Sequence, residues 1–187
     1  MRAVPLNRYL IYGAIACAGC LTDLATKRWI FDKLRMPGWR TLWLWEGVFG
    51  LQTSLNEGAL FGMGQGRVAV FAILSVAALV GVLLWLFVAG AARDRLLTVA
   101  LGCVTAGILG NLYDRLGLPS LHWNFANEYH ALGEPVYAVR DWILVMIGPW
   151  RWPNFNIADP LLVSGAALLA WHAFRTHKAE EPAGNDE

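Results

Sequence analysis

Residues 68–92 read VAVFAILSVAALVGVLLWLFVAGAA, twenty-five positions without one ionisable side chain. A helix needs about 20 apolar residues to cross the hydrocarbon core of a bilayer, so this stretch predicts a transmembrane helix and sets the reading of everything around it. Working outward, three more apolar stretches are candidates to span, at about 9–31, 96–113 and 160–174, the last two short by the same measure. Arg2 and Arg8 ahead of the first stretch also fit a cleavable signal peptide. The apolar stretch continues past Asp23 and Lys27 to Trp29, Ile30 and Phe31, however, and more spans follow, which favours a retained helix. The expected class is an all-α membrane protein: four transmembrane helices with a small β-containing extracytoplasmic loop region. One membrane-embedded domain is expected over 1–178, with a disordered acidic tail over 179–187.

The whole chain agrees with its most apolar part. Its 187 residues are 57% hydrophobic and 16% charged, too apolar for an ordinary soluble domain. A net charge of +1, with no dense window of Lys and Arg, points away from nucleic acid as a partner. Cys17, Cys20 and Cys103 lie inside apolar runs and read as packing residues. His122, His130, His172 and His177 have no ligand spacing, so no metal and no cofactor is expected. Serine chemistry is poorly served, because neither Ser75 nor Ser164 has a nearby His or Lys in its span and G-x-S-x-G is absent. No internal repeat stands out.

Charge bias orients the spans. Only 92–95 joins the second and third spans, and that turn holds Arg93 and Arg95; Arg2 and Arg8 precede the first span, and Arg175 and Lys178 follow the last. The positive-inside rule then places both termini and the short turn in the cytoplasm. The long segments 32–67 and 114–159 fall outside. They carry seven of the ten tryptophans, at 39, 43, 45, 123, 142, 150 and 152, whose rings are expected at the headgroup level. Within the first, 41–46 and 48–56 are rich in β-formers on either side of Gly47 and predict a small strand pair.

Under this topology the costly groups converge. Asp23 and Lys27, Asn111, Asp114 and Arg115, and Asp159 all fall at the outer ends of spans, with Asn56, Asp141 and Asn156 in the outer segments beside them. Three acids compete for chemistry. Asp159 precedes Pro160 and equally reads as a helix N-cap. Asp114 reads as a structural partner of Arg115 or of another segment, and Asp141 as either a reactive or a solvated interfacial charge. Asp23 and Lys27, four apart with the acid first, read as a mutually neutralising pair. A transporter is the rival reading, but it calls for polar groups near the midplane, and here they crowd one end.

Four segments resemble the lipoprotein signal peptidase (signal peptidase II) family: D-L-A-T-K at 23–27, N-E-G-A-L-F-G at 56–62, G-N-L-Y-D-R at 110–115 and F-N-I-A-D at 155–159. They occur in family order along nearly the whole chain. The resemblance implies an intramembrane aspartic endopeptidase of the bacterial inner membrane. It would cleave lipid-modified precursors on the N-terminal side of a diacylglyceryl cysteine; apart from the resemblance, a monomer in contact with membrane lipid is expected. It implies Asp159 as one catalytic aspartate and Asp141, from V-R-D-W at 139–142, as the other. Trp142 stands where Phe is common and Pro160 where a small residue is usual, and the segment 116–138 is longer than the family pattern; that extra length leaves Asp114 as competitor to Asp141, which is preferred because Asp114 matches the family's non-catalytic aspartate beside Arg115. Asn56, Asn111, Arg115 and Asn156 offer donors for a peptide backbone or for the dyad; equally, they can satisfy helix ends and loop carbonyls, which in a membrane need internal partners.

Overall fold

A computed structural model describes residues 3–38, 40–58 and 63–180. Trp39, the A-L-F-G part of the second motif and most of the expected tail, 181–187, lie outside the described residues. Among the described residues there are four α-helices: α1 (Leu6–Leu34), α2 (Val68–Leu83, continued by a π-helical turn, Leu84–Val88), α3 (Arg95–Arg115) and α4 (Ala158–Glu180). Each of α1, α3 and α4 runs a few residues beyond the expected span, because hydropathy fades at charged residues while the backbone ladder does not. The second span stops short of 92, since Gly90 turns the chain at φ +81°.

Three helices, α1, α2 through Val88, and α3, are long and apolar enough to cross a membrane. The fourth helix is long but less apolar. Residues 68–83 of α2 include no buried residue; an apolar face so exposed requires a lipid surround. Helix α3 is the central element, packed by α1 and α4 and, more lightly, by α2. Close approach depends on small residues, as is usual between membrane helices. A Cβ at Gly107 would lie 2.6 Å from the carbonyl oxygen of Ala158, and one at Gly110 would collide with the carboxylate of Asp23. Helix starts and stops follow local chemistry. The Asp94 carboxylate accepts the amide N–H groups of Leu96 and Leu97 at the start of α3. Arg35, at φ +69°, ends α1 two residues before Pro37.

The expected strand pair is β1 (Leu42–Trp45) and β2 (Phe49–Asn56), but the sheet is larger. β3 (Val139–Ile147) and β4 (Trp150–Arg151) extend it in the antiparallel order β1-β2-β3-β4. The register sets Ser54 opposite Asp141 and Asn56 opposite Val139. Ile30 and Phe31 at the end of α1 pack under the sheet with Leu51, Trp142 and Ile143. This corrects the expectation for two tryptophans: Trp142 is buried in that core, and Trp123 is buried against Val136 and Ala138, stacked on His130 at 3.5 Å. Their rings fill protein cores, whereas Trp45 and Trp150 stay exposed. The long segment 116–138 folds back on itself, with the Trp123 N–H bonded to the Glu134 carbonyl and the Val136 N–H to that of Leu121.

Candidate active site

The C-terminal ends of α1 and α3 and the N-terminal end of α4 meet beneath the sheet, and the polar residues that the sequence placed at one level are brought together there. The deepest layer is ionic. Lys27 lies 2.7 Å from Asp23 and 3.0 Å from Asp114, all three fully buried, and Asp114 is also 2.7 Å from the Arg140 guanidinium. Two cations face two anions, so the cluster is neutral. Such a cluster is tolerated in a low dielectric only when the remaining lone pairs and protons are bonded. Here Lys27 also donates to the Gly110 carbonyl and to Asn111 Oδ1, Asp23 Oδ1 accepts the Ala158 N–H at the start of α4, and Asp114 Oδ2 accepts the Arg140 N–H. The partners of Asp114 are thus Lys27 and Arg140. The expected neighbour Arg115 points elsewhere, donating to the Gly58 carbonyl at 3.2 Å and lying 5.4 Å from the centre of the Phe71 ring.

Above this layer two asparagines carry the contact onward. Asn111 Oδ1 accepts from Lys27 and from Asn156 Nδ2, and Asn111 Nδ2 donates to Asp159 Oδ1 at 3.4 Å. Asn156 touches both remaining acids: its Nδ2 donates to Asp141 Oδ1 at 2.6 Å and its backbone N–H to Asp159 Oδ2 at 2.9 Å. Asp159 lies one residue inside α4, so it does not cap the helix in the simple way its place before Pro160 suggested. Asn156 Oδ1 accepts the Ala158 N–H while the Asp159 carboxylate reaches back to the Asn156 N–H, in the manner of a capping box. Pro160 fits in the first turn, where its missing N–H has no helical partner.

Asp141 is buried rather than a solvated charge, and β3 alternation turns it away from its neighbour Arg140. Burial first, and the charge of Asp159 second, push its carboxyl up to about 8, against hydrogen bonds from Asn156 and Asn56 that favour ionisation. At neutral pH Asp141 therefore holds a proton. Asp159 is only partly buried and opens onto a cavity of about 550 Å³, which Asn56, Asn111, Arg115 and Asp141 also line and which Trp152, Phe155 and Val163 flank with apolar surface. Asn156 is fully buried behind the two acids, and Asp114 does not reach the cavity. Arg140 escaped the sequence reading. Only a strand at 139–147 would have revealed that it points opposite to Asp141, into the ionic layer.

A protonated and an ionisable carboxyl joined by one asparagine are equipped to polarise a carbonyl and to activate water together, which is the chemistry of an aspartic peptidase, here set at one end of membrane-crossing helices. Comparison with known proteins gives the same class. The family model for signal peptidase (SPase) II matches residues 15–175, and the chain belongs to that family. It is 46% identical over 177 residues to a lipoprotein signal peptidase of Rhodopirellula baltica, covering 92% of this chain and 75% of that one. With a lipoprotein signal peptidase of Beijerinckia indica it shares 30% identity over 182 residues, covering 95% and 96%. The fold resembles that of a bacterial membrane enzyme solved by the in meso method at 2.3 Å, with a TM-score of 0.73 and 22% identity over 92% of this chain and 93% of that one. The chain is thus a multi-span bacterial membrane protein and an aspartic peptidase that removes signal peptides from prolipoproteins.

Proposed function

We propose that Asp141 and Asp159 are the catalytic pair, and the observation that carries this reading is that Asn156 bonds to both acids where they face the cavity. Asp159, ionised, takes a proton from water as the oxygen adds to the scissile carbonyl carbon. Asp141, protonated, gives its proton to the carbonyl oxygen, leaving a tetrahedral diol with the two proton loads exchanged. Asp159 then protonates the departing nitrogen while Asp141 recovers a proton from one hydroxyl, the carbon–nitrogen bond breaks, and the starting state returns. No covalent intermediate forms. Asp114 is an unsuitable alternative, since both its oxygens are engaged by cations or the backbone in the closed ionic layer.

The supporting residues divide by position. Asn111 and Asn156 link the ionic layer to the pair and hold its geometry. Asn56 and Arg115 line the cavity while fixing Gly58 from its two sides, Asn56 through the Gly58 N–H and Arg115 through its carbonyl, so they are placed to meet a substrate backbone. Asp23, Lys27 and Asp114 are structural.

In this reading all four helices cross the bacterial inner membrane, with both termini cytoplasmic and the site near the extracytoplasmic face. The substrate's diacylglyceryl chains remain in lipid while the peptide enters the cavity, and cleavage falls on the N-terminal side of the modified cysteine. Confinement to the membrane positions the scissile bond, so an unmodified twin of the same precursor, inserted equally well, is expected to be cut poorly. Purified protein incubated with the two precursors tests this: equal rates would remove the lipid from the recognition scheme.

A further inference from the structure

A second, larger hollow, a groove of about 860 Å³, lies along the outer end of α1 and shares no lining residue with the cavity just described. Its wall follows α1 at helical spacing through Leu21, Leu24, Ala25 and Arg28 to Arg35 just beyond the helix end. From Leu21 to Arg35 is a length of about 20 Å along a helix, enough for a headgroup and a good part of one acyl chain. Beside Arg28, Trp29 is 58% exposed, with the Lys33 ammonium 5.5 Å from its ring centre, an aromatic and basic pairing typical of the membrane–water boundary. That marker divides the groove into two levels. Leu21, Leu24 and Ala25 lie on the hydrocarbon side, and Arg28 and Arg35 at the headgroups.

The charges along the groove do not cancel. Asp32 stands against Arg28 at 3.8 Å in a wide, exposed pair, and Arg140 at the inner end is neutralised by Asp114, which leaves the Arg35 charge in excess. We propose that this groove binds one anionic glycerophospholipid, with an acyl chain along Leu21, Leu24 and Ala25 and the phosphate held by Arg28 and Arg35. The substrate's own chains are a poor candidate, because the groove opens away from the cavity: Tyr113 lines it, two positions along α3 from the cavity residues Asn111 and Arg115.

Native mass spectrometry of the full chain, released from vesicles of equal phosphatidylglycerol and phosphatidylcholine with matched acyl chains, tests the site. The wild type is expected to retain one phosphatidylglycerol in about tenfold preference, as two interfacial arginines offset by one aspartate allow. Arg28→Gln with Arg35→Gln should bring that preference to unity, and Arg35→Gln alone serves if the double variant melts early. Ala25→Trp, which fills the acyl end and leaves the charges intact, should lower retention of both lipids. These variants are expected to keep wild-type melting and prolipoprotein cleavage in saturating phosphatidylglycerol. Equal retention of the two lipids by the wild type would overturn the proposal, as would a preference that survives in the double variant or undiminished retention by Ala25→Trp. A lipid-free dimer would overturn it too, by assigning the groove to a second copy.

Discussion

Asp114 and Asp141 are both buried, the first bonded to Arg140 on β3 and the second on β3 itself, yet their surroundings are opposite. Asp114 meets the ammonium of Lys27 and the guanidinium of Arg140. Asp141 meets the amides of Asn156 and Asn56 and the like charge of Asp159. What a buried carboxyl can do follows from what it is bonded to: cations fix a charge in place, whereas amides and a second acid leave a proton to move. In the proposed reading the ionic layer is a scaffold and the layer above it is the reactive one.

The strongest way to break this contrast is to remove each carboxyl in turn. Asp141→Asn and Asp159→Asn should each lower prolipoprotein cleavage by about a thousandfold or more while the protein still inserts and stays folded, since each role needs a titratable group. Asp114→Asn should act on stability instead, by about 3–5 kcal/mol, because it leaves buried cations short of an anion; activity per folded molecule should stay within a few-fold. Normal turnover in Asp141→Asn together with its loss in folded Asp114→Asn would reverse the assignment.

A finer test uses Arg140. Arg140→Met should destabilise the wild type but have much less effect in an Asp114→Asn background, because the two side chains act as one unit. Thermal unfolding of the four proteins gives the coupling, and simple additivity would show that the pair contributes nothing.

The pH response sharpens the contrast further. A carboxyl raised to about 8 in the folded protein, against about 4 when unfolded, contributes stability that is fully present below about pH 4 and is lost as pH rises through 8. Asp141→Asn removes that loss, so its melting temperature should gain on the wild type as the pH is raised from 5 to about 8. Wild-type cleavage should fall above about pH 8 as Asp141 loses its proton. A cleavage profile flat well past pH 8 would contradict the assignment of Asp141 as the acid.

Much of the scaffold was readable before any coordinates, and the limits have physical causes. The spans follow from long apolar runs, and the Asp23–Lys27 pair from i,i+4 spacing. Convergence of the polar groups follows from where the charged residues interrupt the spans. β3 was not readable, because 139–144 is buried throughout and so lacks the alternation of a half-exposed strand. Without that strand neither the Arg140–Asp114 contact nor the opposed direction of Asp141 could be seen. Trp123 and Trp142 show the same limit: an aromatic ring in an outer segment has the same sequence signature whether it lies among headgroups or in a protein core. Of the two readings of Asp159, as cap or as acid, the structure shows the bond that closes the start of α4, and that same bond holds the carboxylate beside Asn156, where the proposed acid would need it.

The central claim, that Asp141 and Asp159 share one working proton, is tested most directly by isotope-edited infrared titration of the Asp141 carboxyl in the folded enzyme. The account predicts a protonated Asp141 band at neutral pH that disappears near pH 8, and that disappears at lower pH once Asp159→Asn removes the neighbouring charge. An Asp141 already ionised at neutral pH, or one whose titration ignores Asp159, would contradict it.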